Sequence, residues 1–200
     1  MKTINTDKYF YHTGYTSPLS AIFNNVDSFT WVEGPDVDQE QCLLDQSLIY
    51  QDKFLTKLHI ESNFGGALSI LRLPPNNMYN WHVDTRQVCN INLINSTTDK
   101  YTFFKLDPSE HPHSNANPLY NKIKDLIPII QSNAIANQWT VLNSTILHAG
   151  INFSNDPKYM IQYAIKKESY KNPFIDVASS KLKYQDVVNI AKSMETLQVK

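Results

Sequence analysis

The 200 residues carry 18 Lys and Arg against 19 Asp and Glu, a formal net charge of −1 and a pI near 6.6. That balance gives no electrostatic footprint for a nucleic-acid or membrane-surface partner. With 42% hydrophobic and 18% charged residues the chain can bury a substantial core, which argues against disorder. Cys42 and Cys89 match no paired metal-ligand spacing and are too few for a disulfide scaffold, so they read as reduced thiols. The opening MKTINTDKYFYHTGY lacks the apolar run of a signal peptide, and no stretch approaches the ~20 apolar residues of a membrane span. A soluble, cytoplasmic protein is the expectation. Frequent Asn, Ile, Lys and Tyr suit an AT-rich genome, a phage's included, and say nothing about chemistry.

Residues 1–36 mix aromatic and turn residues, among them Tyr9, Phe10, Tyr11, Gly14, Pro18, Gly34 and Pro35. This predicts irregular structure with a short strand wrapping the core. Leu43, Leu44, Leu48, Phe54, Leu55 and Leu58 recur near helical spacing, predicting an amphipathic helix over about 37–57 capped by Asp36 or Asp38. Residues 67–73 alternate until Pro74-Pro75-Asn76-Asn77 stops them, and 78–83 form a second short strand. Over 88–94, Val88, Asn90 and Asn92 share one face, with Cys89, Ile91 and Leu93 on the other. An aromatic-rich strand over 101–106 precedes a polar loop over 107–121. Strands return over 129–131, 140–143, 147–153 and 159–166.

Val187, Val188, Ile190, Ala191 and Met194 predict a C-terminal helix over about 181–197. With no repeat, low-complexity tract or linker, a single domain over 1–200 is expected. Its core would span about 64–166, with both helices packed outside. Helix, strands, helix is the order of an antiparallel β core with peripheral helices, a sandwich or barrel.

The chemistry concentrates at His82-Val83-Asp84. Two positions apart at a strand end, both side chains fall on one face, where an imidazole nitrogen and a carboxylate oxygen reach one ion. His148 opens a later strand, and an adjacent antiparallel position would make it the third ligand. Two imidazoles and a carboxylate hold a divalent metal on one face and leave the opposite positions open, the geometry of non-haem Fe(II) oxygenases. Lys158, ten residues after His148, has the charge to hold a dicarboxylate co-substrate. Taken alone, His-x-Asp recurs by chance, and a lysine after Asn155-Asp156-Pro157 is an ordinary solvated turn residue.

Here the residues reach a family. WHVDTRQVCNINL together with LNSTILHAGINFSNDPKYMIQYAI resembles the Fe(II)- and 2-oxoglutarate-dependent dioxygenases, nearest to prolyl and aspartyl/asparaginyl hydroxylase-like members, including those of phage genomes. The resemblance covers roughly residues 64–166. It implies a double-stranded β-helix, the jelly-roll core that cupins also use. It further implies Fe(II) on His82, Asp84 and His148, and Lys158 on the far carboxylate of 2-oxoglutarate. Most relatives use Arg there; Lys supplies a point charge where Arg supplies a planar fork. A hydroxyl donor beside it would then help, with Tyr101 and Tyr163 as candidates.

The implied reaction uses O2 and 2-oxoglutarate, hydroxylates a substrate and releases succinate and CO2. A protein or amino-acid side chain leads as substrate. Oligomeric state is not readable.

Around the motif several residues have two readings each. Arg86 is a clamp for substrate carboxylate or 2-oxoglutarate, or a surface salt-bridge partner. Asn92 touches co-substrate, or is a buried amide satisfied by backbone. Trp81 walls the site or is core. His111-Pro112-His113 is a loop feature or a substrate-facing lid, and His12 and His59 have no ligand-like neighbours in sequence. Two other classes stay open: a cupin-like protein that binds a metal or small ligand without turnover, and an interaction protein in which the triad is coincidental.

Overall fold

The computed structural model describes residues 5–33, 39–95, 100–105, 129–133, 135–172 and 175–198. Most of them build two antiparallel sheets. The strands in chain order are β1 Phe10–Thr16, β2 Val32–Glu33, β3 Glu40–Leu43, β4 Gly66–Leu73, β5 Asn77–His82, β6 Gln87–Ile94 and β7 Lys100–Lys105. They continue with β8 Ile129–Ser132, β9 Gln138–Leu142, β10 His148–Asn152, β11 Lys158–Lys166, β12 Tyr170–Asn172 and β13 Ile175–Val177. The larger sheet runs β1-β9-β6-β11-β4-β3-β2 and the smaller β5-β10-β7-β8, with β12 and β13 as a separate hairpin. Two facing antiparallel sheets joined in this crossed order form the double-stranded β-helix, or jelly roll.

The larger sheet separates two environments, because its side chains alternate. One face carries Leu68, Ile70, Cys89, Ile91, Leu93, Trp139, Val141, Ile161, Tyr163 and Ile165 into the main core. Against it pack helix α1 (Lys53–Glu61) through Phe54, Leu55 and Leu58, and helix α2 (Tyr184–Gln198) through Val187, Val188 and Ala191. Each such Val, Leu or Phe side chain, fully buried, contributes about 1.5–3 kcal/mol of transfer free energy. The opposite face is mixed, carrying Asn90, Asn92, Lys158, Gln162 and Lys166 among apolar residues such as Leu71 and Met160, and looks across a cavity at the smaller sheet. Alternation along β6 has one exception. Ile165 pairs with Cys89 but Lys166 pairs with Gln87, so Val88 is the extra residue of a β-bulge. That bulge sends Val88 into the core beside Cys89, away from the face of Asn90 and Asn92 where alternation places it.

The helix expected over 37–57 is replaced by three elements: β3, a 3₁₀ segment at Gln46–Gln51, and α1. Asp36 and Asp38 lie outside the described residues. The caps are Asp45, accepting from the Ser47 N–H, and Asp52, accepting from the Phe54 and Leu55 N–H groups. Two caps seven residues apart restart the chain twice. Leu44, Ile49, Phe54, Leu55 and Leu58 all enter one core, so they imitate a single helical stripe. The expected irregular N-terminus contains β1, which edges the sheet by pairing with β9. The C-terminal helix expected over 181–197 is α2.

Asp52 ties these pieces together. Besides capping α1, its other oxygen accepts from Ser17 Oγ (2.5 Å) and Trp139 Nε1 (2.9 Å), and the carboxylate is wholly buried. Gly66 shows a second constraint: a Cβ there would stand 2.0 Å from the Tyr163 ring, so β4 needs glycine where that ring crosses it. The Tyr163 hydroxyl reaches Nδ1 of His59 on α1 at 2.8 Å.

Candidate active site

The smaller sheet brings the singled-out histidines face to face. His82 ends β5, His148 begins β10, and the two are direct antiparallel partners. Gly150 pairs with Tyr79, so β5 spends three residues where β10 spends two, a bulge that re-aims the strand end carrying His82. Asp84 follows in the turn, held by its N–H donating to the Ser144 carbonyl (2.9 Å). Asp84 Oδ1 lies 3.5 Å from His82 Nε2, Asp84 Oδ2 lies 3.9 Å from His148 Nε2, and the imidazole centroids are 4.2 Å apart. One ligand atom from each of the three residues falls within 4.8 Å of the others.

This donor set fits a divalent ion. Adjacent ligands of one ion, each about 2.1 Å from it, lie about 3 Å apart, so only small side-chain rotations separate the observed distances from coordination. His148 Nδ1 donates to the Ile146 carbonyl at 2.8 Å, which directs the lone pair of Nε2 toward Asp84. Burial, with His82 beside it, holds His148 well below the ordinary imidazole range, against the opposing pull of Asp84 and the Ile146 carbonyl. Neutral imidazole is the ligating form. Asn90 Nδ2 donates to Asp84 Oδ2 at 2.7 Å, so an outer group orients the carboxylate.

A cavity of about 760 Å³ opens in front of the triad, between the two sheets, and both Lys158 and Asn92 line it. Lys158 is 5% exposed at the first position of β11. It is placed there by Asn152, which is wholly buried and whose Nδ2 donates to the carbonyls of Leu73, Pro74 and Asp156. Asn152 Oδ1 in turn accepts from the N–H and hydroxyl of Ser154. One amide thus fixes the 153–157 turn that delivers Lys158. Asn92 is 5% exposed, and its Oδ1 has no hydrogen-bond partner among the described residues, so the backbone-satisfied alternative does not hold for that atom.

Other expectations meet a different geometry. Arg86 is exposed and does not line the cavity, because it follows Asp84 in a turn where strand alternation no longer applies. Tyr163 lies on the core face of β11, bonded to His59, and is not beside Lys158. The side chains of Trp81 and Tyr101, and residues His111-Pro112-His113, lie outside the described set. His12 and His59, without partners in sequence, bond Thr140 Oγ1 and Tyr163 Oη respectively.

Lys166 and Gln87 line the cavity and were not singled out from sequence. The signal for Lys166 is parity: counting by twos from Lys158 along one strand reaches it.

No family model matches the sequence. No curated protein matches it either. Solved structures do. HygX of Streptomyces hygroscopicus, with nickel, 2-oxoglutarate and hygromycin B bound, superposes with a TM-score of 0.55 at 9% identity, over 91% of this chain and 96% of its own. A Pseudomonas putida prolyl-4-hydroxylase superposes with a TM-score of 0.54 at 11% identity, over 80% and 93%. At such identities the likeness shows the fold. That fold is the double-stranded β-helix, and in this chain a His-Asp-His cluster able to hold a metal lies within it.

Proposed function

We propose that this chain is an Fe(II)- and 2-oxoglutarate-dependent dioxygenase that hydroxylates a peptidyl or free amino-acid side chain. The observation that carries this reading is the pairing of His82 with His148 across two strands, with Asp84 between them, in a cavity whose wall also holds the buried Lys158. A protein that only bound metal would have no use for a buried ammonium on that wall, whereas a dicarboxylate co-substrate gives it a charge-assisted role.

His82, Asp84 and His148 would hold the metal, and Lys158 the distal carboxylate of 2-oxoglutarate. The bound metal and co-substrate would supply the oxidising chemistry, with succinate and CO2 as by-products. The protein's own groups do the positioning. Asn90 keeps the Asp84 carboxylate turned to the ion, and the Ile146 carbonyl keeps the His148 Nε2 lone pair available. Asn92 lines the same cavity, and its Nδ2 would be the group that donates to the co-substrate, which carries only acceptors.

Replacing Lys158 by Ala should weaken 2-oxoglutarate binding by about 10- to 100-fold, the scale of a lost charge-assisted contact, and leave metal affinity unchanged. Calorimetric titration of each ligand checks this. Parallel loss of both affinities would show that Lys158 serves the fold or the metal site instead.

A further inference from the structure

Register locates the triad along β11. Asn90, bonded to Asp84, pairs with Ala164, and the cavity-lining positions of that strand are Lys158, Met160, Gln162, Ala164 and Lys166. Lys158 lies six residues from Ala164 on one side, and Lys166 two residues away on the other, about 7 Å at ordinary strand rise. The two lysines therefore flank the triad along one face of one strand.

Lys166 is partly buried, and its ammonium forms no hydrogen bond or ion pair with any described residue. Arg86, likewise unpaired, is near enough for its charge to act on Lys166, as is that of Asp84. Gln87 sits opposite Lys166 in the register, and its Oε1 is buried without a donor. If a divalent ion sits on Asp84 and a dicarboxylate on Lys158, those four charges cancel. Lys166 is then left as the uncompensated cation at this end of the cavity, with the exposed Arg86 outside it adding positive potential. A half-buried cation next to an orphaned amide acceptor matches a ligand with an anionic group adjacent to an N–H or O–H donor.

We propose that Lys166 anchors an anionic group of the substrate, so that the molecule oxidised here bears a carboxylate or phosphate, with Gln87 accepting from a neighbouring N–H. This rests on the oxygenase reading above and assigns Lys158 and Lys166 to different molecules: co-substrate on one side of the metal, substrate on the other.

The test uses the full chain loaded with Mn(II) and 2-oxoglutarate without oxygen. Three blocked amino acids are titrated: N-acetyl-aspartate amide, N-acetyl-phosphoserine amide and the neutral N-acetyl-asparagine amide. Binding is read from metal-induced relaxation of their acetyl protons. At least one anionic probe should bind about tenfold tighter than the neutral one, the scale of one charge-assisted contact, and which anion leads distinguishes carboxylate from phosphate. Lys166→Ala should erase the preference, Lys166→Arg should retain it, and calorimetric 2-oxoglutarate affinity should hold in both. Equal affinity for all probes, no binding of any, or a preference that survives Lys166→Ala would overturn the proposal. So would joint loss of probe and 2-oxoglutarate binding in Lys166→Ala, which would move Lys166 to the co-substrate. Should the wild type bind no 2-oxoglutarate, the oxygenase reading fails instead. The anion preference of the metal-free protein, read by saturation transfer, then still decides on Lys166.

Discussion

Asn90 is the residue whose loss would tell a tuned metal site from a chance cluster. Its Nδ2 donates to Asp84 Oδ2, so its amide would act through the orientation of that carboxylate. Asn90→Ala should lower divalent-metal affinity by about 10- to 100-fold, the usual cost of losing an outer partner of a ligand. A fluorescence or calorimetric metal titration measures it, and unchanged affinity would mean that Asp84 needs no orienting. The clustering of His82, Asp84 and His148 was legible in sequence, although Asp84 lies past the end of β5 and is held by the Ser144 carbonyl rather than by strand alternation. Lys166 was not, since nothing distinguishes it from other lysines until the inward parity of β11 is known. Arg86 failed for the converse reason: parity was carried past the end of a strand into a turn.

Elements hold the site through two buried polar residues, Asp52 and Asn152. Asp52 joins α1, Ser17 and Trp139 of β9. Asp52→Ala should therefore destabilise the fold by about 2–4 kcal/mol, by removing a cap and leaving two buried donors unmatched. Urea denaturation checks this, with 2-oxoglutarate binding retained by the folded fraction. Asn152 acts on the turn before β11. Asn152→Ala should weaken 2-oxoglutarate binding more than metal binding, because it frees the segment that positions Lys158 while leaving the triad in place. Strands with clean alternation, such as β4 and β11, were readable from the chain. The 37–57 region was not, because a strand, a 3₁₀ segment and a short helix feeding one core repeat apolar residues at nearly helical intervals. The Val88 bulge was also invisible, as it is defined by a partner strand some seventy residues away.

Across the molecule, one sheet divides an apolar core from a cavity that holds the polar cluster, and ionisation reports on the fold as a whole. Burial lowers the pKa values of His12 and His59 below the ordinary 6.5. Between each folded value and 6.5 the unfolded chain binds more protons, so stability rises with pH through that window and is lost as pH falls through the folded values. The denaturation midpoint of the metal-free protein should therefore decline on going from about pH 7 to about pH 5, with a shallower decline in His59→Gln. The same two-sided design carries the central claim, that the cavity is a metal-dependent 2-oxoglutarate site. Calorimetric titration of 2-oxoglutarate into wild type and His82→Ala, each with and without Fe(II) under anaerobic conditions, tests it most directly. The account predicts one equivalent bound by wild type only when the metal is present, and none by His82→Ala under either condition. Binding that ignores the metal, or no binding to metal-loaded wild type, would contradict it.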